Sequence, residues 1–256
     1  MQQQTVTVQD LGTKPYKEIW DFQEAMLQKN VEIKRVFNSH QPSLIALPLT
    51  THNSALKSHV ALAPTTHNLL LLEHPPVYTL GKSGHEENIL IDEANRLAKG
   101  IEYFKINRGG DITFHGPGQL VGYPILDLEK FKTDIGWYLR SLEEVIIKTI
   151  AFFGIAGERS NGETGVWIDA CIKGKERKIC AMGVRCSRWI TMHGWALNVN
   201  TDLGFFQHII PCGIVDKQVT SMQKELGREV SMEEVKMILK QKFSEVFEVE
   251  IIDGLA

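Results

Sequence analysis

The chain has 256 residues, 43% of them hydrophobic and 23% charged, which is the balance of a soluble globular protein able to bury its own core. Its 28 basic and 31 acidic residues leave a net charge of −3, which argues against a protein built around the phosphate backbone of nucleic acid. No apolar run approaches the ~20 residues of a membrane-crossing helix, so neither nucleic acid nor a membrane is an expected partner.

The first stretch, MQQQTVTVQDLGTKPYKEIW, lacks the basic and apolar regions of a secretory leader, so the expected compartment is the cytoplasm. Thiols stay reduced there. Cys171, Cys180, Cys186 and Cys212 all fall in the last third without a C-x-x-C pair, which argues against a zinc ribbon and predicts no metal. Each cysteine is then a small core residue or a nucleophile.

Residues 14–29 read as an amphipathic helix: Pro15 suits its first turn, and Tyr16, Ile19, Phe22, Gln23 and Met26 follow helical spacing. Residues 38–68 are poor in charge and carry an imperfect duplication, IALPLTTHN at 45–53 and VALAPTTHN at 60–68. Its histidines, His40, His52, His59 and His67, suggest a metal site but lack carboxylate and thiolate partners. The segment therefore reads as a flexible surface insertion in a single 1–256 domain. The four leucines at 69–72 read as a buried strand stopped by Pro75 and Pro76.

Further strands are expected at 101–106 and 121–128, with Pro124 favouring an edge position or an irregularity. A helix over 134–153 places Tyr138, Leu142, Val145, Ile146 and Ile150 on one face. Strand-like runs follow at 165–168, 178–186 and 189–199. Ser231 and Glu234 then open a last helix whose Val235, Ile238, Leu239, Phe243, Val246 and Phe247 face a core. Helices and strands mix without strict alternation, so the fold class is mixed α/β (α+β), not a doubly wound sheet.

Three glycine-rich clusters carry the chemistry. In NRGGDITFHGPGQLVGYP, Gly109 and Gly110 allow close approach to the main chain beside the cation of Arg108, and Gly116-Pro117-Gly118 would aim His115. A tight hairpin with an incidental arginine would look the same. In KICAMGVRCSRWITMHGWA, Gly183 and Gly194 interrupt β-favouring runs, as at bulges or ligand contacts, and Lys178 either is partly buried or reaches back to solvent. In IIPCGI, Cys212 lies between Pro211 and Gly213, a setting that can present a thiol together with open N–H groups. A small core cysteine would fit there as well.

In this order, EHPPVYTLGKSG, NRGGDITFHGPGQLVGYPILDL, GERSNGETGVWI, KICAMGVR, TMHGWALNVNTDL and IIPCGI closely resemble the lipoyl(octanoyl) transferase family over roughly 10–36 and 69–228. The resemblance implies a mixed-sheet catalytic domain like that of biotin and lipoate protein ligases. It implies transfer of an octanoyl group from octanoyl-acyl carrier protein to a lysine of lipoyl domains, those of 2-oxoacid dehydrogenase complexes and the glycine cleavage H protein. Neither ATP nor another cofactor is required.

By the same resemblance Cys212 carries the acyl group as a thioester and Lys178 lowers its pKa. The acyl-binding stretches are Arg108, Gly109, Gly110, Asp111, Ile112, Thr113, Phe114 and His115, then Ala181, Met182 and Gly183, and Gly194, Trp195 and Ala196. Lys178, His115 and His193 are alternative bases for the acceptor lysine. Cys180, two residues from Lys178, is expected to share its strand face. Between Lys173 and Arg188 six basic residues (Lys173, Lys175, Arg177, Lys178, Arg185, Arg188) stand against one acid, Glu176, a stretch suited to steering acidic carriers. The competing readings are an ATP-dependent lipoate or biotin protein ligase and a non-enzymatic module that binds lipoyl domains or acyl carriers.

Overall fold

The computed structural model describes residues 3–39, 64–210 and 218–254. Strand β1 (Thr5–Thr13) leads through Pro15 into helix α1 (Tyr16–Ser39), which runs ten residues past the predicted end at 29. Its buried face is Tyr16, Ile19, Gln23, Leu27 and Asn30, with helical spacing, while Phe22 points outward. Both amides bond to the main chain: Asn30 pairs with Thr66 through both ends of its side chain, and Gln23 accepts the N–H of His193 at 2.8 Å through its Oε1 alone.

Strand β2 (His67–Glu73) carries the leucine run. The small strands β3 (Val77–Leu80), β4 (Glu102–Lys105) and β5 (Ile112–His115) follow, with helix α2 (Glu93–Ala98) among them. Then come β6 (Gln119–Ile125), α3 (Ile135–Phe152), β7 (Glu158–Arg159), β8 (Val166–Ile168), β9 (Arg177–Ser187) and β10 (Ile190–Asn198). The chain closes with β11 (Gln218–Val219), α4 (Met222–Leu226), α5 (Met232–Phe247) and β12 (Glu250–Asp253).

The large sheet has the order β12-β1-β2-β6-β10-β9-β8-β7, with β11 beside β9; the small one has the order β4-β3-β5. Both mix parallel and antiparallel pairs, as the mixed α/β class requires. One face of the large sheet packs on α1 through Ile19, Leu27, Leu70, Leu72 and Met192. The other packs on α3 and α5 through Leu71, Leu142, Ile146, Leu239 and Phe243. Asp134 and Ser231 cap α3 and α5 by accepting the N–H of Trp137 and of Glu234. No described helix is long and apolar enough to cross a membrane.

Pro124 sits in β6, a central strand between β2 and β10, so of the two sequence expectations the edge position is wrong and the irregularity is present. The β6–β10 ladder runs from Gln119 to Gly122, opens at Pro124, and is taken up again by the Asp127–Ile190 bridge. A proline has no N–H to donate, so a central strand accepts it only where the ladder is open. Opposite this gap His193 adopts a left-handed backbone, φ 57°, uncommon for a residue with a side chain.

Residues 40–63, which hold most of the duplicated segment with His40, His52 and His59, lie outside the described residues. The flanks of the predicted 38–68 insertion are regular structure, the end of α1 and the start of β2. His67 belongs to the sheet: it is buried, and its Nδ1 accepts the N–H of Asp127 at 3.2 Å. The Asp127 carboxylate in turn takes Lys34 Nζ at 2.9 Å and Thr65 Oγ1 at 3.0 Å, pinning both flanks at one point.

Candidate active site

A cavity of about 810 Å³ opens between the two sheets. Lys178, Ala181, Met182, Gly183, Gly194, Trp195 and Ala196 line it from β9 and β10. Arg108 to Thr113 and His115 line it from the loop before β5 and from β5 itself. The three predicted acyl-binding stretches, far apart in sequence, thus meet on one cavity, joined by Lys178. Phe114 does not line it. Strand alternation turns its ring to the other side, where it stacks on Phe205 with centroids 4.6 Å apart. Cys212 lies outside the described residues.

The Arg108 loop lies directly on β9. Gly109 N–H donates to Val184 O at 3.0 Å, and a Cβ on Gly183 would stand 2.6 Å from Gly109 O. Gly110 takes φ 91°, open only to glycine at little cost. On β10 a Cβ on Gly194 would stand 2.2 Å from Gly122 O. The glycines in these runs therefore mark close backbone packing around the cavity. Arg108 is buried and donates to Thr79 O at 2.7 Å, Thr79 Oγ1 at 3.0 Å and Gly109 O at 3.0 Å.

His115 is held by a chain of amides. Gln119 Nε2 donates to Phe114 O and Asn198 Oδ1, which turns Gln119 Oε1 toward His115 Nδ1 at 2.9 Å. Nδ1 thus carries the proton and Nε2 faces Thr79 Oγ1 at 3.5 Å. Burial, and then the neighbouring His74, hold the His115 pKa well below the ordinary value, so the ring is neutral. His193 is neutral for the same first reason, lowered to about 3 by burial with Arg108 and Arg185 adding to it.

Lys178 Nζ lies 4.5 Å from the centroid of the Trp167 ring, whose π-face attracts a cation. The expected sharing of a face with Cys180 does not hold. Cys180 pairs with Val166 and Lys178 with Trp167, so Ile179 is an extra residue at a bulge. Lys178 lines the cavity, whereas Cys180 is fully buried in the core under α3, where desolvation pushes its thiol strongly up. The basic stretch is also partly neutralised: Arg177 pairs with Asp169 and Glu225, and Arg185 with Glu24.

Sequence reasoning missed Tyr16, Tyr123 and Asn88 in the cavity wall. Tyr16 reads as a core position of α1. The available signal was its hydroxyl and that of Tyr123, since buried tyrosines are placed where the polar end has a partner. Tyr123 donates to His74 Nε2 at 2.9 Å, and His74 Nδ1 donates to Lys14 O at 2.7 Å.

The architecture is that of a lipoate protein ligase catalytic domain. An archaeal bipartite lipoate protein ligase from Thermoplasma acidophilum superimposes with a TM-score of 0.64 at 16% identity, covering 98% of this chain and 87% of that one. A lipoate-protein ligase A structure with bound ATP also gives 0.64, at 14% identity over 98% and 88%. Residues 46–244 match the lipoyl protein ligase A/B catalytic domain family. The octanoyltransferase of Christiangramia forsetii is 52% identical over 96% of this chain and 97% of its own length. That of Flavobacterium johnsoniae is 52% identical over 96% and 98%. The chain belongs to the lipoyl protein ligase A/B catalytic domain family, among its octanoyltransferase members.

Proposed function

We propose that the protein transfers an octanoyl group from octanoyl-acyl carrier protein to a lysine of lipoyl domains, with Cys212 as the covalent carrier and no ATP. The observation that carries this reading is the meeting of Lys178, the Arg108 loop and both glycine-bearing strands on one cavity, in a chain about half identical to octanoyltransferases. In the first half-reaction the Cys212 thiolate attacks the octanoyl carbonyl carbon. The bond to the carrier's sulfur breaks, and that sulfur leaves with a proton. In the second, the acceptor amine attacks the same carbon, the Cys212 sulfur leaves, and an amide forms as the amine loses a proton.

A thiol of ordinary pKa ~8.5 is only a few per cent thiolate at neutral pH, so a nearby cation speeds the first step. Lys178, with its Nζ over the Trp167 face, supplies that cation and is the proton source for the departing carrier thiol. Once neutral it takes the proton of the acceptor amine. His193, with a pKa of about 3, and the equally buried His115 are too weakly basic for that role. Burial also pushes up the thiol of Cys186, which disfavours it as an alternative nucleophile. Lys173, Lys175 and Arg188 are exposed and remain the steering charges toward an acidic carrier in a reducing cytoplasm.

Intact mass spectrometry after mixing with octanoyl-acyl carrier protein, without ATP, tests the proposal. The wild type gains one octanoyl group labile to hydroxylamine and loses it to an apo lipoyl domain, while Cys212→Ser gains none. An adduct that persists in Cys212→Ser, or transfer that requires ATP, overturns it.

A further inference from the structure

One residue outside the recognised motifs ties the acyl-binding loop to the chain that leads into Cys212. Asn88 ends a single helical turn, Glu86–Asn88, and is buried at the cavity wall. Its Nδ2 donates to Asp111 Oδ2 at 2.6 Å, while the other oxygen of that carboxylate accepts the N–H of Ile112 at 2.7 Å. Its main-chain carbonyl accepts the N–H of Ile210 at 2.8 Å. Next to it Ile89 bridges Ile209 in antiparallel fashion, and Leu90 N–H donates to His208 O at 2.9 Å. Ile89 and Ile209 also pack in the apolar cluster with Phe206.

We infer that Asn88 is a positioning residue, which sets the register between the loop that holds the acyl group and the segment that presents the nucleophile. The inference rests on the reading of Cys212 as that nucleophile. The main-chain pairing of 88–90 with 208–210 fixes the course of the chain two residues before Cys212. The side chain of Asn88 then clamps Asp111, and with it the Arg108 loop, to that fixed course. Attack at a thioester needs the reacting atoms within about 3–3.5 Å, and a displacement of about 1 Å costs on the order of 100-fold. Truncating the side chain leaves the main-chain pairing intact and frees only the clamp. It therefore slows acylation at saturating donor more than it weakens donor binding.

The test is single-turnover acylation by octanoyl-acyl carrier protein, followed by rapid-quench mass spectrometry, with melting of each variant alongside. Asn88→Ala should lower the saturated acylation rate about tenfold or more and change the half-saturating donor concentration by less than about twofold. Asn88→Asp, which sets two carboxylates against each other, should be at least as slow. Combining Asn88→Asp with Asp111→Asn rebuilds the hydrogen bond with its direction reversed and should recover most of the rate. A wild-type rate in Asn88→Ala, or a double variant as slow as Asn88→Asp, overturns the inference. Failure of the nucleophile reading is distinguishable, since it is an octanoyl adduct that persists in Cys212→Ser whatever stands at 88.

Discussion

At Lys178 a cation is held at the cavity wall by an aromatic face and by a strand irregularity. Gly165, φ 114°, leaves room beside it: a Cβ there would stand 3.7 Å from Lys178 Cε and 2.5 Å from Cys180 O. Removing the charge while keeping the stem, Lys178→Met, should lower kcat for octanoyl transfer by about 10²–10⁴-fold, the usual worth of a positioned acid–base group. On the proposed mechanism the same substitution removes a cation that stabilises the Cys212 thiolate, so alkylation of that thiol by iodoacetamide should shift to higher pH. A pH–alkylation profile identical to wild type would separate Lys178 from the nucleophile. The lysine, the glycines and His115 were legible as residues because their types are unusual inside β-favouring runs. The bulge at Ile179 was not, since it is created by the pairing of β9 with β8 and leaves no local mark.

At the scale of elements, the Arg108 loop and β9 behave as one unit because Gly183 has no side chain. Gly183→Ala places a methyl group 2.6 Å from Gly109 O and 3.2 Å from Arg108 Cδ, so the loop must lift from the strand. Overpacking of this kind costs about 1–3 kcal/mol. We expect a lower melting temperature and a raised KM for the octanoyl donor, read by calorimetry and by donor titration. An unchanged KM would show that the loop does not need its seat on β9. Pro124 and His193 follow the same logic one strand away. The gap in the β6–β10 ladder lets His193 turn into the cavity, and Gln23 of α1 takes up its N–H. The proline announced an irregularity; which strand would lie beside it could not be read locally.

For the whole molecule, the buried histidines make folding sensitive to acid. His67 and His74 are lowered to about 4 and His193 to about 3, each chiefly by burial, and His115 is lowered as well. In the unfolded chain each titrates near ~6.5. The unfolded state therefore binds protons that the folded state refuses. Stability is full above about 6.5 and falls as pH drops toward about 4, by roughly 1.4 kcal/mol per histidine per pH unit. Melting temperature measured from pH 7.5 to 4.5 should be flat at the upper end and fall steeply below about 6.5. A profile that stays flat to pH 5 would mean that these rings titrate in the folded state.

The sequence by itself determined the helix α3, the capped start of α5, the leucine strand β2 and the chemical character of the cavity. Those signals are carried by contiguous residues: a cap and its N–H lie within one turn, and periodicity repeats every few positions. Only the tertiary structure decided that Phe22 faces solvent, that His67 is a strand residue, that Phe114 turns away from the cavity and that Cys180 belongs to the core. It also decided that His115 and His193 are neutral and that Asn88 reaches Asp111. Burial, register and desolvation depend on what packs against a residue, and here the partners lie tens to more than a hundred positions away.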